Sequence, residues 1–403
     1  MQDNEKKPAL RFKGFTDPWE QRKVGDHLIP SKLPGHTGVD ARKLTVKLWG
    51  KGVVEKTDSY GGSEHTQYYV RHAGQFMYGK LDFLHAAFGI VPAELDNYES
   101  TLDSPAFDLS EINGKFLVSR VCKEDFYLKY GTIANGSRKA KRIHEDTFMD
   151  MPILVPELEE QERVAALLEA LDTLITLHQR KYEKLVNIKK SMLDKMFPKN
   201  GASVPEIRFK GFTDPWEQRK LGEIAVFSKG VGYSKNDLCE EGTPIILYGR
   251  LYTKYETCIF DVDTFVKEKA GGVYSKGGEV IVPASGETAE DISIASVVVK
   301  PGILLGGDLN IVSPTAEYDS AFLALTISSG ATHKYLSSLA QGKSVVHLHN
   351  ADIQSVSAKF PTKREQEKIH LLFGKIDTLI TLHQRKLEKL QNIKKSCLEK
   401  MFV

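Results

Sequence analysis

A chain of 403 residues is long enough for two or three domains, and its 41% hydrophobic and 27% charged content describes a globular protein with real cores. The formal net charge of +2 excludes binding to polyanions through overall charge, so any nucleic-acid surface must come from local clustering of cations. Four cysteines, Cys122, Cys239, Cys258 and Cys397, contain no C-x-x-C pair, which argues against a zinc site or redox dithiol and for reduced, packed thiols.

The N-terminus, MQDNEKKPALRFKGF, lacks the apolar centre of a secretory leader, and no stretch approaches the ~20 apolar residues of a membrane span. Both features predict a cytoplasmic protein. A repeat then organises the chain. RFKGFTDPWEQRKVG at 11–25 returns as RFKGFTDPWEQRKLG at 208–222, with 14 of 15 positions identical. DTLITLHQRKYEKLVNIKKSMLDKMF at 172–197 returns at 377–402 with 22 of 26 identical. The segments between these frames are nearly unrelated. Such a chain carries one frame twice and two inserts that do different jobs of the same kind.

The first insert, roughly 19–155, and the second, roughly 216–360, alternate short apolar runs with Gly-rich turns. Strands are expected at Lys43–Leu48, Phe116–Val121, Pro244–Leu247, Glu279–Val282 and Ile294–Val299, and a short helix at Ala321–Ser328. The pattern predicts an α+β fold with mixed or antiparallel sheets.

A long helix follows each insert. The first run, Glu157–Phe197, contains no Gly or Pro, and Glu157, Glu159 and Glu160 suit the positive end of its dipole. The second starts after Pro361, where Thr362 and Glu365 have capping-box spacing. Apolar residues recur in a 4-3 alternation: Val164, Leu168, Leu171, Ile175, Tyr182, Leu185, Met192 and Met196, matched by Ile369, Phe373, Ile376, Ile380, Leu387, Leu390, Cys397 and Met401. This is a coiled-coil seam. His178 and Lys189, with their copies His383 and Lys394, interrupt it at matched places and are candidate register-setting residues. An antiparallel pair of such helices, each ~57 Å long, would relate the copies by a pseudo-twofold axis. Leu167, Leu174, Leu177 and Ile188 lie off the seam, as do Leu372, Leu379, Leu382 and Ile393, and a partner protein is expected to cover them.

Basic and aromatic residues cluster at several places in the inserts and are the candidate DNA-contacting residues. The first insert offers Tyr68, Arg71, Tyr78 and Lys80, and the NGSRKAKR loop with Asn135, Ser137, Arg138, Lys139, Lys141 and Arg142. The second offers Tyr248, Arg250, Tyr252 and Lys254, and the QGKSVVHLH loop with Gln341, Lys343, Ser344 and His347. Lys and Arg neutralise phosphates, and Arg, Asn and Gln can also read base edges.

Catalytic signatures are missing. Gly342-Lys343-Ser344 has Ser337 where a phosphate-binding loop needs its first glycine. The chain has no Pro-Pro and so lacks the N/D-P-P-[YF] motif of amino-methyltransferases. No metalloprotease, nucleophile-elbow or nuclease constellation stands out, and no residues suggest a metal site. Two other readings stay open at this stage. One is a coiled-coil adaptor whose inserts bind proteins; the other is a stand-alone methyltransferase or nuclease.

The order of parts resembles the specificity subunits of type I restriction-modification systems. The resemblance rests on P-W-E-x-x-x-[LV]-G at 18–25 and 215–222 and on E-Q-E at 160–162 and 365–367, leading into each long helix. It implies two globular target-recognition domains, 1–155 and 200–360, joined by a central spacer helix at 156–199 and a distal one at 361–403. It also implies a non-catalytic subunit whose domains each read one half of a bipartite double-stranded DNA site. Two methylation subunits and two motor-nuclease restriction subunits would be the partners, and would hold S-adenosylmethionine, ATP and Mg. Little sequence follows the second helix, which fits a chain complete at Val403.

Overall fold

A computed structural model of the chain describes residues 6–38, 40–57, 63–132, 142–199, 201–342 and 345–403. They divide into two compact units. The first comprises residues 1–177 and 387–403, and the second residues 178–386. Both divisions fall inside the long helices, Leu158–Met196 and Lys363–Lys400, so each unit contains a segment of both.

The first unit is built on a four-stranded antiparallel sheet in the order Leu28–Ser31, Ala106–Leu109, Phe76–Tyr78, Phe88–Ile90. A three-stranded sheet (Pro34–Thr37, Gln67–Arg71, Tyr98–Ser100) and a hairpin (Leu44–Val46 with Val53–Glu55) complete the insert. Its main core is aromatic: Phe76, Tyr78, Phe83, Phe88, Phe107, Phe116, Phe126 and Phe148 are all buried. The second unit has a five-stranded sheet ordered Ala225–Lys229, Leu309–Pro314, Glu279–Pro283, Ser296–Val298, Cys258–Ile259, with the last pair parallel. A four-stranded sheet packs beside it, and the main core joins Val280, Val282, Val312 and Leu323 with the aromatics Trp216, Phe322 and Phe360. The expected mixed α and β composition holds, and the expected strands in the second insert and at Leu44–Val46 are present.

One expected strand is a helix. Residues 114–121 coil as Gly114–Val121 because Asn113 caps the N-terminus, its side chain accepting from Phe116 N at 3.1 Å. Phe116, Leu117, Arg120 and Val121 then fall on one buried face at helical spacing. Among the described residues, no helix is long and apolar enough to cross a membrane, and all four cysteines are free.

Candidate nucleic-acid interface and its helical frame

The recurring opening motif folds into a lock at the start of each long helix. In the first unit Glu20–Lys23 pairs antiparallel with Pro152–Val155, and in the second Glu217–Lys220 pairs with Ser357–Phe360 in the equivalent register. The chain passes close to Gly25 and Gly222: a Cβ at Gly25 would clash 2.9 Å from Met149 Cβ, and one at Gly222 would sit tightly, 3.2 Å from Gln354 Cβ. Arg11 donates two hydrogen bonds to Glu160, at 2.6 and 2.7 Å, and Arg208 donates two to Glu365, at 2.7 and 2.8 Å. Both carboxylates are 1% exposed. The capping box expected at Thr362 therefore does not form: Glu365 turns to a bidentate arginine instead, a stronger partner than a backbone N–H.

The neighbouring glutamines complete the lock. Gln161 Nε2 donates to Pro156 O and its Oε1 accepts from Asn113 N; Gln366 does the same with Pro361 O and Asp319 N. Asn113 and Asp319 in turn cap the helices Gly114–Val121 and Ser320–Ile327. Thus the E-Q-E element grips the first turn of a helix in each insert, although the insert sequences differ.

Each unit is finished by the end of the long helix that follows the other insert. Phe402 packs against Trp19 and Phe116, with ring centroids 6.1 and 5.2 Å apart, in the first unit. Phe197 packs against Trp216 and Phe322, at 5.9 and 5.4 Å, in the second. Leu10 N donates to Lys400 O and Ile207 N to Lys195 O, so the backbone exchange is also matched.

The helices pair antiparallel in each unit, and every predicted apolar seam position is at least partly buried. The four polar seam residues all face the partner helix. His178 Nδ1 and His383 Nδ1 lie 2.8 Å apart, Lys189 pairs with Asp377 at 2.5 Å, and Lys394 pairs with Asp172 at 2.5 Å. Each aspartate also holds its insert: Lys115 donates to Asp172 at 2.6 Å, and Thr257 Oγ1 donates to Asp377 at 3.0 Å. These two aspartates went unrecognised in the sequence, although they recur at the repeat spacing. Of the off-seam residues, Leu174, Leu177, Ile188, Leu379, Leu382 and Ile393 are exposed. Leu167 and Leu372 are not; they pack against the insert cores.

The histidine pair makes the frame sensitive to pH. A bond between two Nδ1 atoms needs one proton between them. Partial desolvation, together with the positive charges of His178, Lys181 and Lys386, pulls His383 below the usual histidine range. A folded-state value below ~6.5 means that protonation favours the separated helices. The contribution is present above about pH 6.5 and is lost as the pH falls through the window beneath it. Wild type is therefore expected to lose more thermal stability between pH 7.5 and 5.5 than H178N/H383N, measured by melting both at each pH. Equal losses would exclude the pair as the titrating element.

The candidate DNA-contacting residues separate into three groups. Arg71, Tyr78, Lys80 and Arg250 are structural, which corrects the expectation from sequence. Arg71 is fully buried, donating to Ser100 Oγ and Ser31 O, and burial brings its guanidinium down to about 10. Tyr78 is also fully buried and donates to Ile143 O; its ionisation is pushed well above the usual range by burial. Lys80 is buried on Glu145, and Arg250 ties Glu256 and Asp263 together. Side chains buried or paired in this way are not available to phosphate.

The second group reaches the surface. Tyr68 is half-buried beneath Lys43, and Arg142 pairs with Asp103. Tyr248 and Tyr252 are half-buried neighbours, while Lys254 is exposed beside Asp263. Gln341 and His347 are exposed and joined by two backbone hydrogen bonds, with His347 Nδ1 3.0 Å from Ser285 Oγ. Asn135, Ser137, Arg138, Lys139, Lys141, Lys343 and Ser344 form the third group and lie outside the described residues.

Residues 213–392 match the family described as the type I restriction modification DNA specificity domain. The Type I restriction enzyme MjaVIII specificity subunit of Methanocaldococcus jannaschii is 25% identical over 285 residues, covering 68% of this chain and 65% of the relative. The similarity to type I restriction-modification specificity subunits therefore covers residues 213–392 by family and 68% of the chain by relative. A second relative from the same organism, the putative type I restriction enzyme MjaX specificity subunit, is 24% identical over 68% of this chain and 63% of its own length. The chain thus spans just under two thirds of the length of these curated relatives. Among solved structures, the type I restriction-modification system S subunit from M. genitalium shares the fold, with a TM-score of 0.57 and 13% identity over 98% of this chain and 99% of that one.

Proposed function

We propose that this chain is the sequence-reading, non-catalytic subunit of a type I restriction-modification complex, acting in the cytoplasm. The observation that carries this is the duplicated lock. Arg11–Glu160 and Arg208–Glu365 hold two inserts of different sequence and sheet topology in equivalent settings on one pair of helices. Such a frame presents two different readers, the domains at 1–155 and 200–360, to the two halves of a bipartite double-stranded DNA site. The spacer segments at 156–199 and 361–403 set the gap between the halves. Two linked readers bind with high effective concentration. A mismatch in either half costs ~1–3 kcal/mol, so both halves contribute to discrimination.

The exposed leucines and isoleucines of the helices recur in matched pairs: Leu174 and Leu379, Leu177 and Leu382, Ile188 and Ile393. Two copies of one apolar stripe suit two methylation subunits, and these would recruit two motor-nuclease subunits. S-adenosylmethionine, ATP and Mg would belong to those partners. Co-expression with the methylation subunit and mapping of adenine methylation across a plasmid library tests the reading. A single bipartite motif with a fixed gap is expected, and exchange of residues 26–155 should alter one half only. A stable complex that methylates no motif would favour the adaptor reading and overturn this one.

A further inference from the structure

The hairpin of Leu44–Val46 and Val53–Glu55 is anchored through Leu44, Val46 and Val53, which are buried with Met77, Ala87 and Val91. Its tip is built in an unusual way. Trp49, Gly50 and Gly52 have φ of 61°, 62° and 85°. Glycine adopts this region freely, but a tryptophan there is strained and persists only when its surroundings impose it. They do so here: Trp49 N donates to His85 O at 2.7 Å, Gly50 N to Ala86 O at 2.8 Å, and Lys47 N to Gly52 O at 2.8 Å.

This strain adds nothing to the core. Trp49 is 55% exposed and makes edge-to-face ring contacts with His85 and Tyr127, at 5.5 and 6.4 Å. The other two tryptophans, Trp19 and Trp216, are 1% and 3% exposed. Leu48 beside it is also exposed. The surrounding strap is cationic: between residues 41 and 57 stand Arg42, Lys43, Lys47, Lys51 and Lys56 against the single acid Glu55. Arg42 donates to the Tyr98 hydroxyl and Lys43 lies over Tyr68. Lys47, Lys51 and Lys56 are exposed and, among the described residues, form no ion pair.

We propose that this tip enters a groove of the duplex, with Lys47 and Lys51 on flanking phosphates and the Trp49 ring against base edges. A rigid aromatic between exposed cations matches a groove walled by phosphates, where apolar side chains act as wedges and lysines displace counterions. The excess of five cations over one acid between residues 41 and 57 favours a polyanion as the occupant. The inference rests on the DNA-reading function proposed above and assigns that function to side chains outside the loops singled out in the sequence.

The test labels this chain alone with 5-fluorotryptophan, assembles it with unlabelled methylation subunits and adds a duplex carrying the mapped motif. Three fluorine resonances are available, and W49F assigns that of Trp49. The Trp49 resonance is expected to shift on DNA addition while the two buried ones stay in place. Trp49→Ala should weaken motif binding at least about fivefold, comparable to the loss of one base contact. K47Q/K51Q should lower the slope of log affinity against log salt by about two. Tight motif binding with an unmoved Trp49 resonance and unchanged affinity in Trp49→Ala would overturn the proposal. So would a resonance that moves on assembly with the methylation subunits but not with DNA. If the wild-type complex binds no mapped motif, the DNA-reading function itself falls.

Discussion

Replacing Glu160 by alanine is expected to lower the stability of the first unit by about 3–5 kcal/mol. The carboxylate is 1% exposed and the Arg11 side chain 14% exposed, so removing the acid leaves a largely buried cation without its bidentate partner and with only the weaker influence of Asp17 and Glu157. For a unit of this size the loss corresponds to a fall of about 10 °C in its melting transition, measurable by scanning calorimetry of the full chain. Replacing both partners, as R11M/E160L, should restore most of the loss, since two apolar side chains leave no uncompensated charge. A cost below about 1 kcal/mol for Glu160→Ala would place the pair with ordinary surface ion pairs and would remove it as the lock of the frame.

Residues 1–199 expressed alone are expected to form a homodimer. In the whole chain the first unit is finished by Met401 and Phe402, which pack with Trp19, Phe116 and Leu168. The central helix ends in the same two residues, Met196 and Phe197, and its Asp172, His178 and Lys189 are the repeat counterparts of Asp377, His383 and Lys394. A second copy can therefore supply every seam contact that the distal helix now makes, in a closed isologous arrangement. Sedimentation should give twice the monomer mass at micromolar concentration. Phe197→Ala should shift the fragment towards monomer, since truncating a buried phenylalanine costs about 3–5 kcal/mol. A fragment that stays monomeric while folded would show that the two seams are not interchangeable.

The helical frame was legible in the sequence because its signals are periodic and duplicated. A 4-3 alternation over several heptads leaves little choice of face, and His178 and Lys189 stood out by breaking it in both copies. The partners of those lysines were harder to see. Asp172 and Asp377 lie just off the apolar register, and it is the antiparallel pairing that brings them opposite Lys394 and Lys189. The inserts were less legible, since many of their strands have only two to four residues. Phe116–Val121 reads as a strand by its apolar run, and only the cap at Asn113 and its bond to Gln161 decide for helix. Arg71 and Lys80 looked like surface cations because the groups that satisfy them, Ser31 and Ser100 in one case and Glu145 in the other, are 29 to 65 residues away.

The grip of the two glutamines on insert backbone has a consequence for how such chains can change. Gln161 and Gln366 accept from a main-chain N–H, a group that any residue other than proline provides. At this joint the two inserts share an Asn or Asp at the helix cap and a phenylalanine three positions later, Asn113 with Phe116 and Asp319 with Phe322. The joint therefore works as a universal socket. A foreign cassette with Asx-x-x-Phe at its docking helix and an edge strand to meet Glu20–Lys23 would plug into it without retuning of the helices. Whole inserts could then be traded between such chains, while the frame that holds them stays fixed.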